Sequence, residues 1–535
     1  MSAKDKRIIR IYDTTLRDGA QAEGVSLSLG DKLHIARRLD ELGVDYIEGG
    51  YPFSNPKDSA FFRDAAGLGL SRAKIVAFGS TRKPKIAAKD DSGLRALIEA
   101  GTPVCAIVAK AWDRHVLKVL RTSLKENLRM ISDSVSLLKS MGREVIVDAE
   151  HFFDGFKANP DYSIATLLAA RDSGADVMTL CDTNGGSLPD EIAVAVDAAI
   201  RQAGGMAVGI HCHNDSSCAV ANTIVAVEHG ATLAQGTING FGERCGNADL
   251  CAVIACLALK KGYELLKPDA VSRLTEVSRY VYEEANLMYR PEQPFVGSSA
   301  FAHKAGIHVN AMIRDLGSYE HIAPESVGNE RRYLVSELSG RSTLLAKLAD
   351  NRLRSKEKQQ RLLRELQNLE NEGYQYEAAE GSLDLLVGRL FGGSRSFFKV
   401  LGYHVSTICR EDGTLVQDAT VKLMVGDAKA HTAAEGDGPV NALDGALRKA
   451  LEPHYPCLKR VRLTDFRVRV INPKAATAAR VRVVITSQDD AEEWGTVGVS
   501  ENIIEASWEA LIDSINYKLT KELAKPSKSR RKPRS

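Results

Sequence analysis

The chain has 535 residues, enough for two or three domains, and its 71 lysines and arginines nearly balance its 69 aspartates and glutamates. The net charge of +2 excludes the overall positive field that nucleic acid or an anionic membrane would favour, so we expect neither as a partner. Nine cysteines without a Cys-x-x-Cys pair, an amino terminus without an apolar leader and no apolar run long enough for a bilayer indicate a cytoplasmic protein.

Eight short β-prone segments, each followed by a segment with helical spacing, occur in the first half of the chain. The predicted strands are 7–13, 44–48, 74–78, 104–108, 144–147, 176–180, 207–210 and 233–238. Strands that alternate with helices predict a parallel sheet. Eight such units in about 250 residues are the size of a (β/α)8 barrel, the TIM barrel, although an open doubly wound sheet can also contain eight strands.

Polar residues stand at or just after the ends of six of these predicted strands. They are Arg17 and Asp18 after the first strand, Glu48 at the end of the second, Glu150 after the fifth, Asp182 and Thr183 after the sixth, His211 and His213 after the seventh, and the loop 239–247 after the eighth. In a barrel all of them would surround the carboxyl-terminal rim, where barrel active sites lie, whereas an open sheet would spread them along a line. The sequence therefore predicts a barrel with an active site at that rim.

His211 and His213 are two residues apart, so on a strand their side chains project from the same face and can converge on one ion. Together with Asp18 they would offer two imidazoles and one carboxylate, and they would leave positions open for substrate and water. Such a set suits Zn, Mn, Co or Fe, or Mg if waters complete the coordination sphere. The competing interpretation is that both histidines are ordinary core or turn residues.

Two charged residues at the predicted rim suit the chemistry of a carbonyl group. Arg17 carries a permanent cation beside Asp18 and can stabilise an oxyanion, or it can form a structural ion pair with Glu48, and the two roles are compatible. Glu150 is predicted as a free carboxylate, which suits a general base or a group that orients water.

The second half of the chain is predicted to contain two further regions. Segment 291–340 is irregular, and segment 342–371 carries many charges at helical spacing, which is typical of a connector. From about residue 383, strands followed by a helix occur twice, which indicates a duplicated α+β domain with a regulatory, dimerising or structural role. We therefore predict a barrel at 1–275, a mostly helical linker region at 276–382, a regulatory domain at 383–525 and a disordered basic tail at 526–535.

Three ordered motifs in the predicted barrel resemble the DRE-TIM metallolyase superfamily. They are Leu-Arg-Asp-Gly-Ala-Gln at 16–21, with Lys32 at the matching distance, His-Cys-His-Asn-Asp at 211–215 and Gly-Phe-Gly-Glu-Arg-Cys-Gly-Asn at 240–247. The superfamily contains the α-isopropylmalate, homocitrate and citramalate synthases and, more distantly, the hydroxymethylglutaryl-CoA lyases. Segments 328–342, 372–377 and 436–441 are especially similar to the long citramalate synthases, and the carboxyl-terminal part resembles the regulatory dimer domain of isopropylmalate synthases.

The resemblance implies a bound divalent metal and suggests its ligands. Asp18, His211 and His213 match the family's metal ligands, and Asn247 matches a fourth ligand that binds more weakly. The family usually has glycine at the position of Ser217, where glycine permits backbone angles that other residues disfavour. We therefore expect the helix start after the seventh strand to differ slightly from the family pattern.

The resemblance also implies roles for side chains around the substrate. Arg17 matches the arginine that stabilises the enolate or alkoxide oxygen, and Glu48 matches the glutamate that holds this arginine. Glu150 and Thr183 match residues near the 2-oxo acid, with Thr183 as a contact for its carboxylate.

The implied reaction condenses acetyl-CoA with pyruvate and hydrolyses the thioester, which gives (R)-citramalate and CoA on the route to isoleucine. Beyond the barrel, His308 and Tyr319 match a histidine and a tyrosine implicated in activating acetyl-CoA. The alternatives are an α-isopropylmalate synthase that acts on 2-oxoisovalerate and a regulatory homologue without catalysis. The resemblance further implies a homodimer, with isoleucine as a feedback effector at the carboxyl-terminal domain.

Overall fold

The computed structural model of the chain describes residues 7–54, 56–267, 269–334, 353, 355–393, 395–471 and 479–524. The chain divides into two compact units, Met1–Phe301 with Glu320–Arg331 and Ala302–Tyr319 with Arg332–Ser535. The predicted tail at 526–535 and part of the motif at 328–342 lie outside the described residues, and the predicted four-part division stays a prediction. None of the described helices combines the length and the apolar composition that a membrane crossing requires.

Eight parallel strands of the first unit close into a barrel in chain order, which confirms the predicted architecture and excludes the open sheet. The strands are β1 Arg10–Asp13, β2 Tyr46–Gly50, β3 Lys74–Ser80, β4 Val104–Lys110, β5 Glu144–Glu150, β6 Val177–Asp182, β7 Ala207–Cys212 and β8 Leu233–Gly236. The first strand pairs with the last, with Arg10 opposite Leu233. Several strands run further than predicted because residues at the rim still pair, as Lys110 does with Glu150.

Helices connect and surround these strands. The α-helices of the described part of this unit are α1 Leu29–Leu42, α2 Pro56–Ala65, α3 Ser92–Glu99, α4 Asp113–Lys118, α5 Leu124–Ser140, α6 Phe152–Ala158, α7 Pro160–Asp172, α8 Pro189–Gln202, α9 Ala219–Glu228, α10 Leu250–Ala255 and α11 Leu274–Glu284. Helix α1 begins with a reciprocal cap, in which the Ser28 hydroxyl accepts from the Asp31 N–H and the Asp31 carboxylate accepts from the Ser28 N–H. It ends at Gly43, which adopts a left-handed φ of 92°.

The interior of the barrel changes from apolar to polar along the strands. Its apolar layers consist of Tyr12, Tyr46, Val76, Val104, Ala106, Ile146, Val177 and Leu233. Side chains of a strand alternate with a period of two, so the next inward positions on four strands are polar: Glu48, Asp148, Thr179 and Gln235. These polar groups are buried, and we therefore expect each of them to have a partner at the rim.

A buried ion pair between α1 and α2 contacts the end of β2. The Lys32 Nζ donates to Asp58 Oδ1 at 2.6 Å and to the Gly49 carbonyl at 3.0 Å. Asp58 also accepts from the Tyr51 N–H at 3.0 Å. Burial lowers the pKa of Lys32, although Asp58 acts in the opposite direction. Because Gly49 directly follows Glu48, this pair holds the strand end that carries a predicted site residue.

We expect Lys32→Met to lower the free energy of unfolding by about 3 to 5 kcal/mol, because it leaves the Asp58 carboxylate buried without its cation. Denaturant unfolding of the wild type, both single variants and K32M/D58N measures this, and the double variant should lose less than the two single variants combined. Lys74→Met is the matched control, since Lys74 pairs with Glu144 at the surface, where a pair contributes less than about 1 kcal/mol. Equal losses in K32M and K74M would contradict the prediction.

The second unit ends in two copies of a β-β-β-α arrangement, as the sequence predicted. The first copy contains β11 Lys399–Cys409, β12 Leu415–Val425, β13 Ala428–Gly436 and α15 Pro439–Leu451, and the second contains β14 Arg462–Val470, β15 Val481–Gln488, β16 Glu493–Ser500 and α16 Ile503–Ala524. Both sheets are antiparallel. The elements before them are β9 Ala302–His303, α12 Gly306–Arg314, β10 Arg332–Tyr333, α13 Lys356–Asn371 and α14 Glu380–Phe391.

Candidate active site

Three predicted metal ligands meet at the rim of the barrel. Asp18 Oδ2 lies 3.3 Å from His211 Nε2 and 3.9 Å from His213 Nε2, and the two Nε2 atoms are 3.4 Å apart. All three side chains are buried, and their ligand atoms lie within 4.8 Å of one another. Two imidazoles and a carboxylate that converge in this way can hold one divalent cation.

The two histidines reach this position by different routes. Strand β7 ends at Cys212, so only His211 lies in the strand. His213 follows it and pairs with Asn247 in an isolated β-bridge. The imidazole rings are neighbours, with centroids 5.1 Å apart, although one of them is held by a loop and not by the strand alone.

The β-bridge brings the predicted fourth ligand, Asn247, beside His213. The Asn247 amide donates through Nδ2 to the Phe241 carbonyl at 3.1 Å. Its Oδ1 is buried and accepts no hydrogen bond from the described residues, and the same holds for His213 Nδ1. Burying such a group without a partner is unfavourable, and each such case requires an explanation. The buried amide oxygen beside two imidazoles and a carboxylate fits a hard divalent cation.

Arg17 is held by three neighbours. Its Nε donates to Glu48 Oε1 at 2.6 Å, its Nη1 lies 3.5 Å from Asp18 Oδ2, and its guanidinium carbon lies 4.0 Å from the centre of the Phe78 ring. Burial acts to lower the pKa of Arg17, but Glu48 and Asp18 raise it well above its ordinary value. The predicted ion pair with Glu48 therefore exists, and it keeps a permanent cation beside the Asp18 carboxylate.

The charges around the site favour the metal-binding forms of Asp18 and His213. Burial acts to raise the pKa of Asp18, but Arg17 and His211 hold it far below its usual range. Burial and the neighbouring His211 lower the pKa of His213 to about 4. Near neutral pH the site therefore offers an ionised carboxylate and a neutral imidazole, as a divalent cation requires. At His211, burial acts to lower the pKa, but the Asp18 carboxylate raises it above its ordinary value, so binding of a divalent cation there would release a proton.

Two residues that the sequence interpretation missed support His211. Gln235 lies opposite His211 in the register of β7 and β8, and its Oε1 is 3.0 Å from His211 Nδ1. Its Nε2 donates to Asp148 Oδ1 at 3.0 Å. Burial and the nearby Glu48 carboxylate raise the pKa of Asp148 to about 6. The period of two along β5 was the signal that could have identified Asp148, since it stands two positions before Glu150 on the same face.

Glu150 is not the free carboxylate that the sequence predicted. It forms an ion pair with Lys110, which lies opposite it at the end of β4. The two residues are 40 positions apart in the chain, so the pairing of β4 with β5 is needed to bring the charges together. Glu150 therefore keeps its predicted place at the rim but has a cationic partner there.

Arg244 ties together the loops that follow β6, β7 and β8. Its guanidinium donates to both carboxylate oxygens of Asp215, at 2.8 and 3.0 Å, and to the Thr183 carbonyl at 2.9 Å. The Thr183 hydroxyl accepts from the His151 N–H at 2.8 Å.

Ser217 has a left-handed φ of 59°, which serine disfavours and glycine tolerates, and α9 begins two residues later. The structure thus explains why glycine suits this position.

A cavity of about 610 Å³ is lined in part by the residues that directly follow Glu150 and Thr183 in the chain. Three aromatic rings are packed along it: the rings of Trp112 and His115 stack with centroids 5.2 Å apart, and those of His115 and His151 lie 4.3 Å apart with their planes tilted by 58°. The remaining lining residues are Arg114, Lys118, Val119 and Asn184. Rings together with cations suit an anionic ligand that carries a planar group.

The predicted residues His308 and Tyr319 belong to the second unit. Their rings stack with centroids 4.3 Å apart and planes 27° from parallel, and both side chains are exposed. The structure therefore places His308 and Tyr319 next to each other. Their part in activating acetyl-CoA stays a prediction.

Three family models match successive parts of the chain. The HMGL-like model matches residues 8–281, the homocitrate synthase post-HMGL domain-like model matches residues 295–373, and the LeuA allosteric (dimerisation) domain matches residues 377–519. The first match contains the whole barrel, and the last contains both sheets of the β-β-β-α copies.

Relatives match almost the whole chain. An (R)-citramalate synthase of Geobacter sulfurreducens is 53% identical over 518 residues, which cover 96% of this chain and 98% of that protein. An (R)-citramalate synthase of Aquifex aeolicus is 50% identical with the same coverage of both chains. A probable 2-isopropylmalate synthase of Methanopyrus kandleri is 32% identical over 514 residues, which cover 95% of this chain and 98% of that protein.

Proposed function

The chain belongs to the HMGL-like family and to its (R)-citramalate synthases, and on this premise we propose that it condenses acetyl-CoA with pyruvate to give (R)-citramalate and free CoA. The observation that carries the proposal is the convergence of Asp18, His211 and His213 beside Arg17, in a chain that such synthases match over nearly its full length. A homologue without catalysis would have no need to keep this set together.

The proposed metal site consists of Asp18, His211 and His213, with Asn247 as the fourth ligand. A divalent cation bound by these residues would supply a Lewis acid for the keto group of the 2-oxo acid. The ligand types admit Zn, Mn, Mg or Co and do not select one of them. The protein supplies a buried setting in which the ligand side chains are already close together.

We assign Arg17 the role of stabilising the negative charge that develops on the keto oxygen of pyruvate during the condensation. The acetyl-CoA methyl group loses a proton, and the resulting enolate carbon forms a bond with the second carbon of pyruvate, whose keto oxygen becomes an alkoxide. A fixed cation near that oxygen stabilises the transition state because it needs no rearrangement during the reaction. Glu48 and Phe78 provide this fixation. Water then cleaves the thioester and releases CoA.

Glu150 is proposed as the carboxylate that accepts a proton or orients the water at this rim. We expect Glu150→Gln to lower kcat by about 100-fold, because the amide keeps the shape but cannot act as a base. Steady-state kinetics with both substrates measures this. Glu144→Gln is the matched control, since Glu144 lies at the opposite end of the same strand and pairs with Tyr46 and Lys74. A full kcat in E150Q would remove Glu150 from the mechanism.

The aromatic and cationic cavity beside Glu150 supports a place for an anionic cosubstrate such as acetyl-CoA. His308 and Tyr319 are retained as the proposed residues for its activation. Thr183 is retained as the proposed contact for the carboxylate of pyruvate, because its hydroxyl accepts from the His151 N–H and keeps its own hydrogen to donate to that carboxylate.

Release of free CoA by the metal-loaded protein tests the proposed function. The assay takes acetyl-CoA with pyruvate, 2-oxobutanoate, 2-oxoisovalerate and 2-oxoglutarate in turn, and we expect the highest kcat/KM with pyruvate. One methylene changes discrimination in an apolar pocket by only about 1 to 3 kcal/mol, so activity with the larger acids is expected at a lower level. A preference for 2-oxoisovalerate would favour the isopropylmalate synthase alternative, and no turnover with any acid would favour the homologue without catalysis.

Regulation is proposed for the second unit, because the match at 377–519 is to an allosteric dimerisation domain. We expect isoleucine, the end product of the proposed route, to bind the full chain and to lower its activity. Isothermal titration with isoleucine measures this, and leucine and valine serve as controls of similar size. Equal binding of leucine would contradict the isoleucine assignment.

A homodimer is also proposed, and analytical ultracentrifugation of the full chain should show it.

A cytoplasmic location is proposed on the basis of cysteine usage. All nine cysteines lie in the described part of the chain, and all are free thiols. Free cysteines are typical of proteins in a reducing compartment.

A further inference from the structure

The side-chain amide of Gln235 is completely buried and makes three contacts in the barrel. Its Nε2 donates to Asp148 Oδ1 at 3.0 Å and to Thr179 Oγ1 at 3.1 Å. Its Oε1 lies 3.0 Å from His211 Nδ1. These residues come from four consecutive strands, β5 to β8, so the contacts join one side of the barrel wall to the site.

The orientation of this amide follows from the chemistry of its neighbours. An ionised carboxylate accepts hydrogen bonds and cannot donate them, so the atom of Gln235 that faces Asp148 must be the NH2 group. Its two hydrogens are used by Asp148 and Thr179. The carbonyl oxygen must therefore face His211, and because an oxygen of this kind only accepts, His211 must carry its proton on Nδ1.

A proton on Nδ1 leaves the lone pair of a neutral imidazole on Nε2. That atom is the one that faces the site, at 3.3 Å from Asp18 Oδ2 and 3.4 Å from His213 Nε2. A metal-binding histidine needs this form, and its other nitrogen usually donates to a group that fixes the ring.

We propose that Asp148 is a positioning residue, which acts through Gln235 to hold His211 in the tautomer and ring orientation that bind the metal. The inference rests on the proposed function and deepens it, because it concerns how tightly the site holds its divalent cation. Asp148 touches neither the cation nor the substrate in this scheme. Its effect passes through one amide whose direction it determines.

Asp148→Asn tests the inference with almost no change of shape. The new amide can donate to Gln235, which allows the Gln235 amide to turn and present its NH2 group to His211 Nδ1. His211 would then carry its proton on Nε2, and that atom could not bind a metal. We expect the dissociation constant for Mn²⁺, measured on the full chain by competition with a chelating dye, to rise by about 10- to 100-fold.

Two further measurements separate this role from a general loss of structure. The Mn²⁺ concentration for half-maximal CoA release should rise with the dissociation constant, while kcat at saturating Mn²⁺ should recover. Asp40→Asn is the matched control, because Asp40 is also a buried carboxylate but lies near the end of α1, where it accepts from the N–H groups of residues 71–73. Its Mn²⁺ affinity should equal that of the wild type.

Gln235→Met keeps the length of the side chain and removes all three of its polar contacts, so it tests the inference if D148N does not fold. We expect it to weaken Mn²⁺ binding as D148N does. Unchanged affinity in a folded D148N or in a folded Q235M would overturn the inference. A wild type that binds Mn²⁺ no better than Asp18→Ala would instead overturn the proposed metal site, and the two failures are therefore distinguishable.

Discussion

Asp18→Ala should lower turnover by at least about 10⁴-fold and should remove the bound divalent metal at the same time. Asp18 is the only carboxylate in the described cluster of three ligands, and its Oδ2 lies 3.3 Å and 3.9 Å from the two imidazole Nε2 atoms. Without this carboxylate, two neutral imidazoles and one amide oxygen remain. These groups carry no negative charge and hold a divalent cation much more weakly. Loss of the metal removes the polarisation of the keto group, which contributes several kcal/mol to such reactions.

The measurement is metal content by mass spectrometry after dialysis, together with release of CoA. Asp40→Asn serves again as the control, because it changes a buried carboxylate away from the cluster and should retain both metal and turnover. Circular dichroism checks that D18A is folded, since Arg17 keeps its partner Glu48 in this variant. Full metal content in a folded D18A would show that the cation binds elsewhere.

Arg17→Lys should lower kcat by about 10²- to 10³-fold while the protein keeps its metal. Lysine preserves the charge, but it lacks the planar group that donates to Glu48 through Nε and lies against the Phe78 ring. The ammonium is therefore expected to sit in a different place relative to the oxygen on which charge develops. Arg17→Met should lose still more, because it removes the charge as well.

Steady-state kinetics and metal analysis of the same preparations test this prediction, since retained metal separates Arg17 from Asp18. Arg10→Lys is the matched control: Arg10 begins β1, the strand that Arg17 follows, and at that opposite end of the barrel it donates to the Tyr46 hydroxyl at 2.6 Å. Its kcat should match that of the wild type. If R17K retained full kcat, Arg17 would have only the structural ion pair with Glu48.

The barrel and most of its rim could be predicted because the signals for them are local. A strand is recognised from a few adjacent residues, and the polar residues that mark the rim stand at or shortly after the ends of six strands, as Asp18, Glu48 and His211 do. Helix α1 is similar, since Ser28 caps it through a residue three positions away. The duplicated β-β-β-α arrangement was also predicted, from the spacing of strands and helices within each copy.

Apart from the ion pair of Arg17 with Glu48, partnerships across the barrel could not be predicted in the same way. Glu150 and Lys110 form an ion pair because β4 and β5 are neighbours, and the register that places them opposite each other is a property of the closed sheet. His213 lies beside Asn247 through a bridge between two loops, and neither residue carries a local sign of it.

The contrast is strongest at His211. Its residue type is given by the sequence, and its position at a strand end could be predicted because strand periodicity is a property of adjacent residues. The nitrogen with which it faces the site depends on Gln235, which is 24 positions away, and the direction of that amide depends on Asp148, a further 87 positions distant. Such hydrogen bonds form between strands that closure of the barrel brings together, so the residues that can bind a metal were evident from the sequence, whereas the groups that orient them emerged from the fold.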